Sequence, residues 1–106
     1  MFARPQAIAL LLAVSSALVH PAPGILHIRN DRFDAVEVEV RLGPSAPCDQ
    51  HPAGAVRTLR RGQVWGVVSG QVICWRRARI PGNASSGWTA WEQLQVASDS
   101  TRTATL

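Results

Sequence analysis

Between residues 35 and 42 apolar and charged side chains alternate: Val36, Val38, Val40 and Leu42 on one side, Glu37, Glu39 and Arg41 on the other. A period of two sets one series against a core and the other in water, as in a half-buried strand. A shorter apolar run, residues 25–29, precedes it. Asn30-Asp31-Arg32-Phe33-Asp34 reads as the turn between them, because Asn and Asp accept turn backbone. Weaker runs recur at 55–59, 63–68, 71–79, 88–96 and 101–106, each bounded by Gly, Pro, Asn or Ser. Residues 43–54, with three prolines, and 81–87 (Pro-Gly-Asn-Ala-Ser-Ser-Gly) read as loops. Trp88, Trp91 and Leu94 have helical spacing, but the short run and its breakers favour a strand. Short strands at this density predict an all-β domain, either a small antiparallel sandwich of immunoglobulin-like form or a small barrel, with about six or seven strands.

Residues 1–24 break this pattern. Arg4 gives a positive start, residues 7–19 are apolar except for Ser15 and Ser16, and His20-Pro21-Ala22-Pro23-Gly24 follows. That is the layout of a cleaved secretory signal peptide, and the apolar run is too short for the roughly 20 residues of a membrane span. Cleavage is expected after Gly24, leaving residues 25–106 as one small domain with no membrane span; after Ala17 is the other candidate, with Ser15 and Ala17 at the two small-residue positions. The protein is therefore expected outside the cytoplasm, periplasmic or extracellular, and the lysine-free composition looks bacterial.

Export changes how the cysteines are read. Cys48 and Cys74 are the only two, an even count that predicts one disulfide in a domain too small to rely on its core alone. The alternative is a metal site, since Cys48-Asp49-Gln50-His51 has ligand-like spacing and Cys74 with His27 would complete a Cys2His2 set. The disulfide is preferred, because His27 and Cys74 are isolated and no Cys-x-x-Cys occurs. No metal or other cofactor is expected.

All eleven basic residues are arginine, against seven acids. Nucleic-acid binding is the usual inference from a basic chain, but export argues against it; an anionic glycan or an envelope protein is the more fitting partner. No catalytic constellation is present. Gly-x-Ser-x-Gly is absent, and the carboxylate pair Glu37 and Glu39 lies on one wet strand face. The chain is read as non-enzymatic.

The candidate binding residues are Trp75, Arg76, Arg77, Arg79, Trp88 and Trp91. A hairpin through residues 81–87 would set the arginine strand beside the tryptophans, where guanidinium groups stack on indole faces and arginines grip carboxylate, sulfate or phosphate. Parity along residues 71–79 predicts that Cys74 faces the core with Arg76 at its edge, and that Trp75, Arg77 and Arg79 form the outer face. Burial of Trp75 then requires the 81–87 loop or Trp88 to lie over it. Arg77, Arg79, Trp88 and Trp91 resemble the stacked layers of thrombospondin type 1 repeats; the arginines here precede the tryptophans and the bridge count differs, so the resemblance implies stacking alone. Asn83-Ala84-Ser85 also matches a glycosylation sequon. The expected function is a binding module for an anionic or glycan ligand through this Arg/Trp surface. The alternative is a protein-interaction module, an inhibitor or envelope-complex accessory using loop 43–54 or 81–87. A metal-binding accessory role ranks third.

Overall fold

A computed structural model describes residues 21–45 and 47–106. The segment expected to be cleaved, residues 1–24, lies outside the described residues for all but its last four positions. The chain forms β1 (Ile25–Arg29), β2 (Ala35–Gly43), β3 (Ala55–Arg60), β4 (Val64–Val68), β5 (Val72–Ile80), β6 (Asn83–Trp88), β7 (Glu92–Leu94) and β8 (Thr101–Thr105), with one 3₁₀ turn at Cys48–Gln50. It is an all-β sandwich of two separate sheets, not a barrel. The smaller sheet has the order β4-β1-β8; the larger runs β3-β2-β5-β6, with β7 also pairing β5. Most pairs are antiparallel, but β1 runs parallel to β8, and the described residues form eight strands where about six or seven were expected.

The alternation of β2 holds for its three valines but not for every position: Leu42, expected inside, is exposed at the sandwich edge, and Glu39, expected in water, is buried because arginines and indoles cover it. Val36, Val38 and Val40 are buried and meet Leu26 and Ile28 of β1, Trp65 and Val67 of β4, Leu59 of β3 and Ile73 and Trp75 of β5. Burial of such side chains contributes about 1.5–3 kcal/mol each, and the β-branched valines fit the pleated face. Asn30 closes one end of this core. It is fully buried, yet its carboxamide donates to the carbonyls of Phe33 and Leu59, both at 2.9 Å, and accepts from the N–H groups of Arg32 and Phe33. The turn between β1 and β2 is thereby tied to β3.

The face assignment on β5 is the reverse of the sequence expectation. Val40 of β2 lies opposite Trp75, and Arg41 lies opposite Cys74, so Trp75 shares the core side and Cys74 the outer side. Trp75 is buried by the sandwich itself and needs no loop over it. The Cys48–Cys74 bridge is present, with Cα atoms 5.8 Å apart, inside the usual range. Its burial comes from residues 47–51 lying over the outer face of the sheet, with the His51 ring against Cys74. A buried cysteine was a poor guide to the core because both faces of this sheet are covered.

The expected loop 81–87 is also corrected. Pro81 and Gly82 alone make the turn, with Gly82 at φ 81°, a backbone that glycine adopts without Cβ penalty. Residues 83–88 then pair with β5 as an edge strand. Ile80 faces Asn83 and Ala78 faces Trp88, five steps along β6 against two along β5, so the pairing of the two strands is irregular between these points. A strand with little burial demand has no need of alternating apolar residues, and its small polar sequence looked like a loop.

Residues before β1 belong to the fold. Ala22 pairs with Asp99 through both its N–H and its carbonyl at 2.8 Å, and the Gly24 carbonyl accepts from Ser69 N–H at 3.1 Å. Cleavage after Ala17 preserves these contacts and cleavage after Gly24 removes them. A chain beginning at Ile25, which lacks these contacts, is therefore expected to melt at a lower temperature than one beginning at Pro21, read by thermal circular dichroism; equal melting temperatures would contradict this. For the bridge, Cys48→Ser with Cys74→Ser is expected to lower stability by about 3.5 kcal/mol, from closure of a loop of this length, read by urea unfolding of both proteins.

Candidate functional site

Two regions outside the core carry chemistry. The first is built on the wet face of β2 and β5, where antiparallel pairing sets Glu39 opposite Arg76. The Glu39 carboxylate accepts from Arg76 Nε at 2.8 Å through one oxygen and from Arg41 Nε at 3.1 Å through the other. Arg76 Nη2 reaches the first oxygen as well, at 2.7 Å. The indoles of Trp88 and Trp91 fold over this pair. The Arg76 guanidinium lies 4.1 Å from the Trp91 ring centre and 5.2 Å from that of Trp88, and Arg41 covers Trp91 at 5.0 Å. The layers run Arg41, Trp91, Arg76, Trp88. One carboxylate faces two cations, and the aromatic faces take up part of the surplus charge.

This ladder holds the irregular segment after β6 onto the sheet. Thr89 adds two bonds to the Arg77 backbone, Thr89 N–H to the Arg77 carbonyl at 2.9 Å and Arg77 N–H to Thr89 Oγ1 at 3.2 Å. Arg41 Nη1 also reaches the His51 carbonyl at 3.5 Å, coupling the ladder to the segment that covers the bridge.

Of the residues named from sequence, the structure brings Arg76, Trp88 and Trp91 together and leaves the others apart. Trp75 is in the core. Arg77 turns toward the turn after β1, over the Phe33 ring at 4.7 Å, and donates to the Ala78 carbonyl at 3.0 Å. Arg79 is exposed and reaches the Trp88 carbonyl at 3.3 Å. Glu39 and Arg41 were missed. The signal that could have found them was their place on the wet side of the β2 alternation, combined with a β2–β5 register that sets opposite charges side by side. Glu37 is likewise engaged, accepting from Gly82 N–H at 2.8 Å. A cleft of about 310 Å³ with mixed polar and apolar walls lies beside Trp75, Arg76, Arg77, Thr89, Glu92 and Leu106. Away from both regions, a hydrogen bond from Arg29 to Asp31 and the carboxylate charge raise the arginine pKa at an exposed site.

The second region lies along one open edge of the sandwich. β3 ends one sheet and β4 ends the other, and the short turn between them puts both free edges on the same side. Between these edges runs an apolar groove of about 400 Å³, lined by Leu42, Pro52, Ala53, Trp65, Val67 and Val68. Val56, Val64 and Val68 beside it are about half exposed, at 54%, 47% and 57%. From Gln63 to Gln71 no residue is charged, so β4 lacks the charges and prolines that normally protect an edge strand. At the rim the Arg57 guanidinium sits 4.7 Å over the Trp65 ring, and no carboxylate among the described residues pairs with it.

No known protein family, curated protein or solved structure matches the chain.

The two arginine environments predict different responses to substitution. Glu39→Gln is expected to destabilise the fold by about 3 kcal/mol, the scale for breaking a largely desolvated ion pair from one side. Arg79→Ala should stay within about 0.5 kcal/mol, as usual for exposed positions. Chemical denaturation of the three proteins side by side checks both values.

Proposed function

We propose that the protein is an exported, non-enzymatic protein-interaction module that takes an extended segment of a partner along its β4 edge. The observation that carries this is the uncharged free edge next to an apolar groove. An added strand would satisfy the outward N–H and carbonyl groups of β4, and its alternate apolar side chains would enter the groove beside Trp65, Val67 and Leu42. Residues 52–54, the end of the proline-rich segment, form the other wall. An acidic side chain on the segment would meet Arg57. The partner is thus an extended, largely apolar strand with a carboxylate near one end.

An anion- or glycan-binding surface built on the Arg/Trp ladder has less to offer a ligand. Arg76 packs against two indoles and has two of its three nitrogens, Nε and Nη2, on Glu39, and Arg41 shares that carboxylate. A polyanion would have to displace Glu39 to bind there. Catalysis by the carboxylate pair is similarly poorly served, since Glu37 and Glu39 already accept internal hydrogen bonds.

Extended peptides of alternating valine and threonine with one terminal aspartate, presented on an array, test the proposal. Binding is expected to survive a rise to high salt, because strand pairing and apolar contact dominate. Val68→Lys, which places a charge on the edge, is expected to weaken it at least tenfold with little change in melting temperature. Retention on an anionic glycan column that falls steeply with salt, together with no peptide binding, would instead favour the anionic-ligand function.

A further inference from the structure

His51 is 7% exposed and neither of the two regions above accounts for its ring. Its Nδ1 lies 3.4 Å from Cys74 Sγ, and Cys74 is bonded to Cys48. The other ring nitrogen, Nε2, is in hydrogen-bond contact with the Ser45 carbonyl. A carbonyl only accepts, so Nε2 carries the hydrogen and the Nδ1 lone pair faces the sulfur. Metal-binding histidines are held in this way, one nitrogen donating to a backbone carbonyl and the other aimed at the ion. Gly43 makes room for the ring, since a Cβ there would overlap it. Gln93 Oε1 stands 3.4 Å from Cys48 Sγ on the far side of the bridge. Three of the four residues weighed as a metal set therefore do meet; His27 does not, lying on β1 of the other sheet.

With the bridge closed, no cluster of three ligand side chains among the described residues is free to hold an ion. With it open the distances suit one. On a tetrahedral zinc, with Zn–S of about 2.3 Å and Zn–N of about 2.0 Å, a nitrogen and a sulfur stand roughly 3.5 Å apart; Nδ1 and Cys74 Sγ are already at 3.4 Å. Two sulfurs stand roughly 3.8 Å apart on such an ion, which side-chain rotation can supply from Cα atoms 5.8 Å apart.

We infer that the dithiol form of this protein binds one thiophilic divalent cation, of the zinc type, through Cys48, Cys74 and His51. Gln93 or water completes four ligands. A dithiol reductant opens the site: it is oxidised to its own disulfide, the Cys48–Cys74 bond breaks, and two protons pass to the two sulfurs. The cation then takes both thiolates and the two protons leave to solvent. The freshly made chain, before oxidation, is already in this state, so metal capture and bridge formation compete for the same sulfurs.

The full mature chain, reduced with a phosphine, is titrated with Zn²⁺ against a chromophoric chelator, and with Co²⁺ for its visible spectrum. One ion per chain is expected for the reduced protein and none for the oxidised protein, with the Co²⁺ bands of a tetrahedral thiolate site. His51→Gln is expected to weaken zinc binding at least tenfold and alter the Co²⁺ bands, and its oxidised form is checked for an unchanged β-sheet circular dichroism spectrum. If the reduced chain is unfolded without metal, zinc should restore the β spectrum in the wild type and fail to do so in His51→Gln. Equal zinc affinity in the two reduced proteins would overturn the proposal. So would wild-type affinity no tighter than that of Cys48→Ser with Cys74→Ser.

Discussion

The Glu39 carboxylate is the interaction on which the outer half of this domain depends. It sits almost out of water, with 9% of its side chain exposed, between arginine side chains that are only 19% and 23% exposed. A lone buried charge would be costly; here each oxygen has a cation, and the cations have aromatic faces. Glu39 comes from β2 and Arg76 from β5, while Trp88 ends β6 and Trp91 comes from the irregular segment that follows it. Without the ion pair, the indoles would have only an unpaired charge on which to pack. The ladder thus does for the wet face of the larger sheet what the valines do for the dry one.

That arrangement has a physical origin in size. A domain this small has little core relative to its surface, and its central strand β2 brings mainly valines inward. The additional order comes from covering the second face of the same sheet. The ladder covers one part of that face, residues 47–51 beside the bridge cover another, and Arg41 touches both through Glu39 and the His51 carbonyl. The smaller sheet has no such cover along β4, and there the apolar groove remains open. Arg41 and Arg76 are consequently turned inward on one face of the larger sheet, while the exposed groove beside β4 is apolar.

Some elements could be read directly from the chain. The strict alternation of β2 fixed its buried face, and turn residues at 30–34, 60–62 and 97–100 marked real reversals. The bridge followed from an even cysteine count in a chain with a signal-like start. Other elements could not be read. β6 lacks any apolar period because it lies at an edge, and the 81–87 segment shows only turn-forming composition. The orientation of β5 was misjudged because Cys74 was taken to mark the core, while the parity of Ile73 and Trp75 pointed the other way. Arg76 was rightly placed with Trp88 and Trp91; Arg77 and Arg79 were grouped with them only because they are neighbours in sequence.

The sequence by itself determined the all-β character, the pairing of Cys48 with Cys74 and the inward series of β2, since each depends on local pattern or on the absence of any other choice. Tertiary structure alone decided which face of β5 is core, which arginine enters the ladder, and that Glu39 is its centre. Those outcomes depend on strand register, and a shift of one residue turns every side chain to the opposite face. Register is set by contacts between residues far apart in the chain, Val40 with Trp75 and Glu39 with Arg76, and no local pattern records such a pairing.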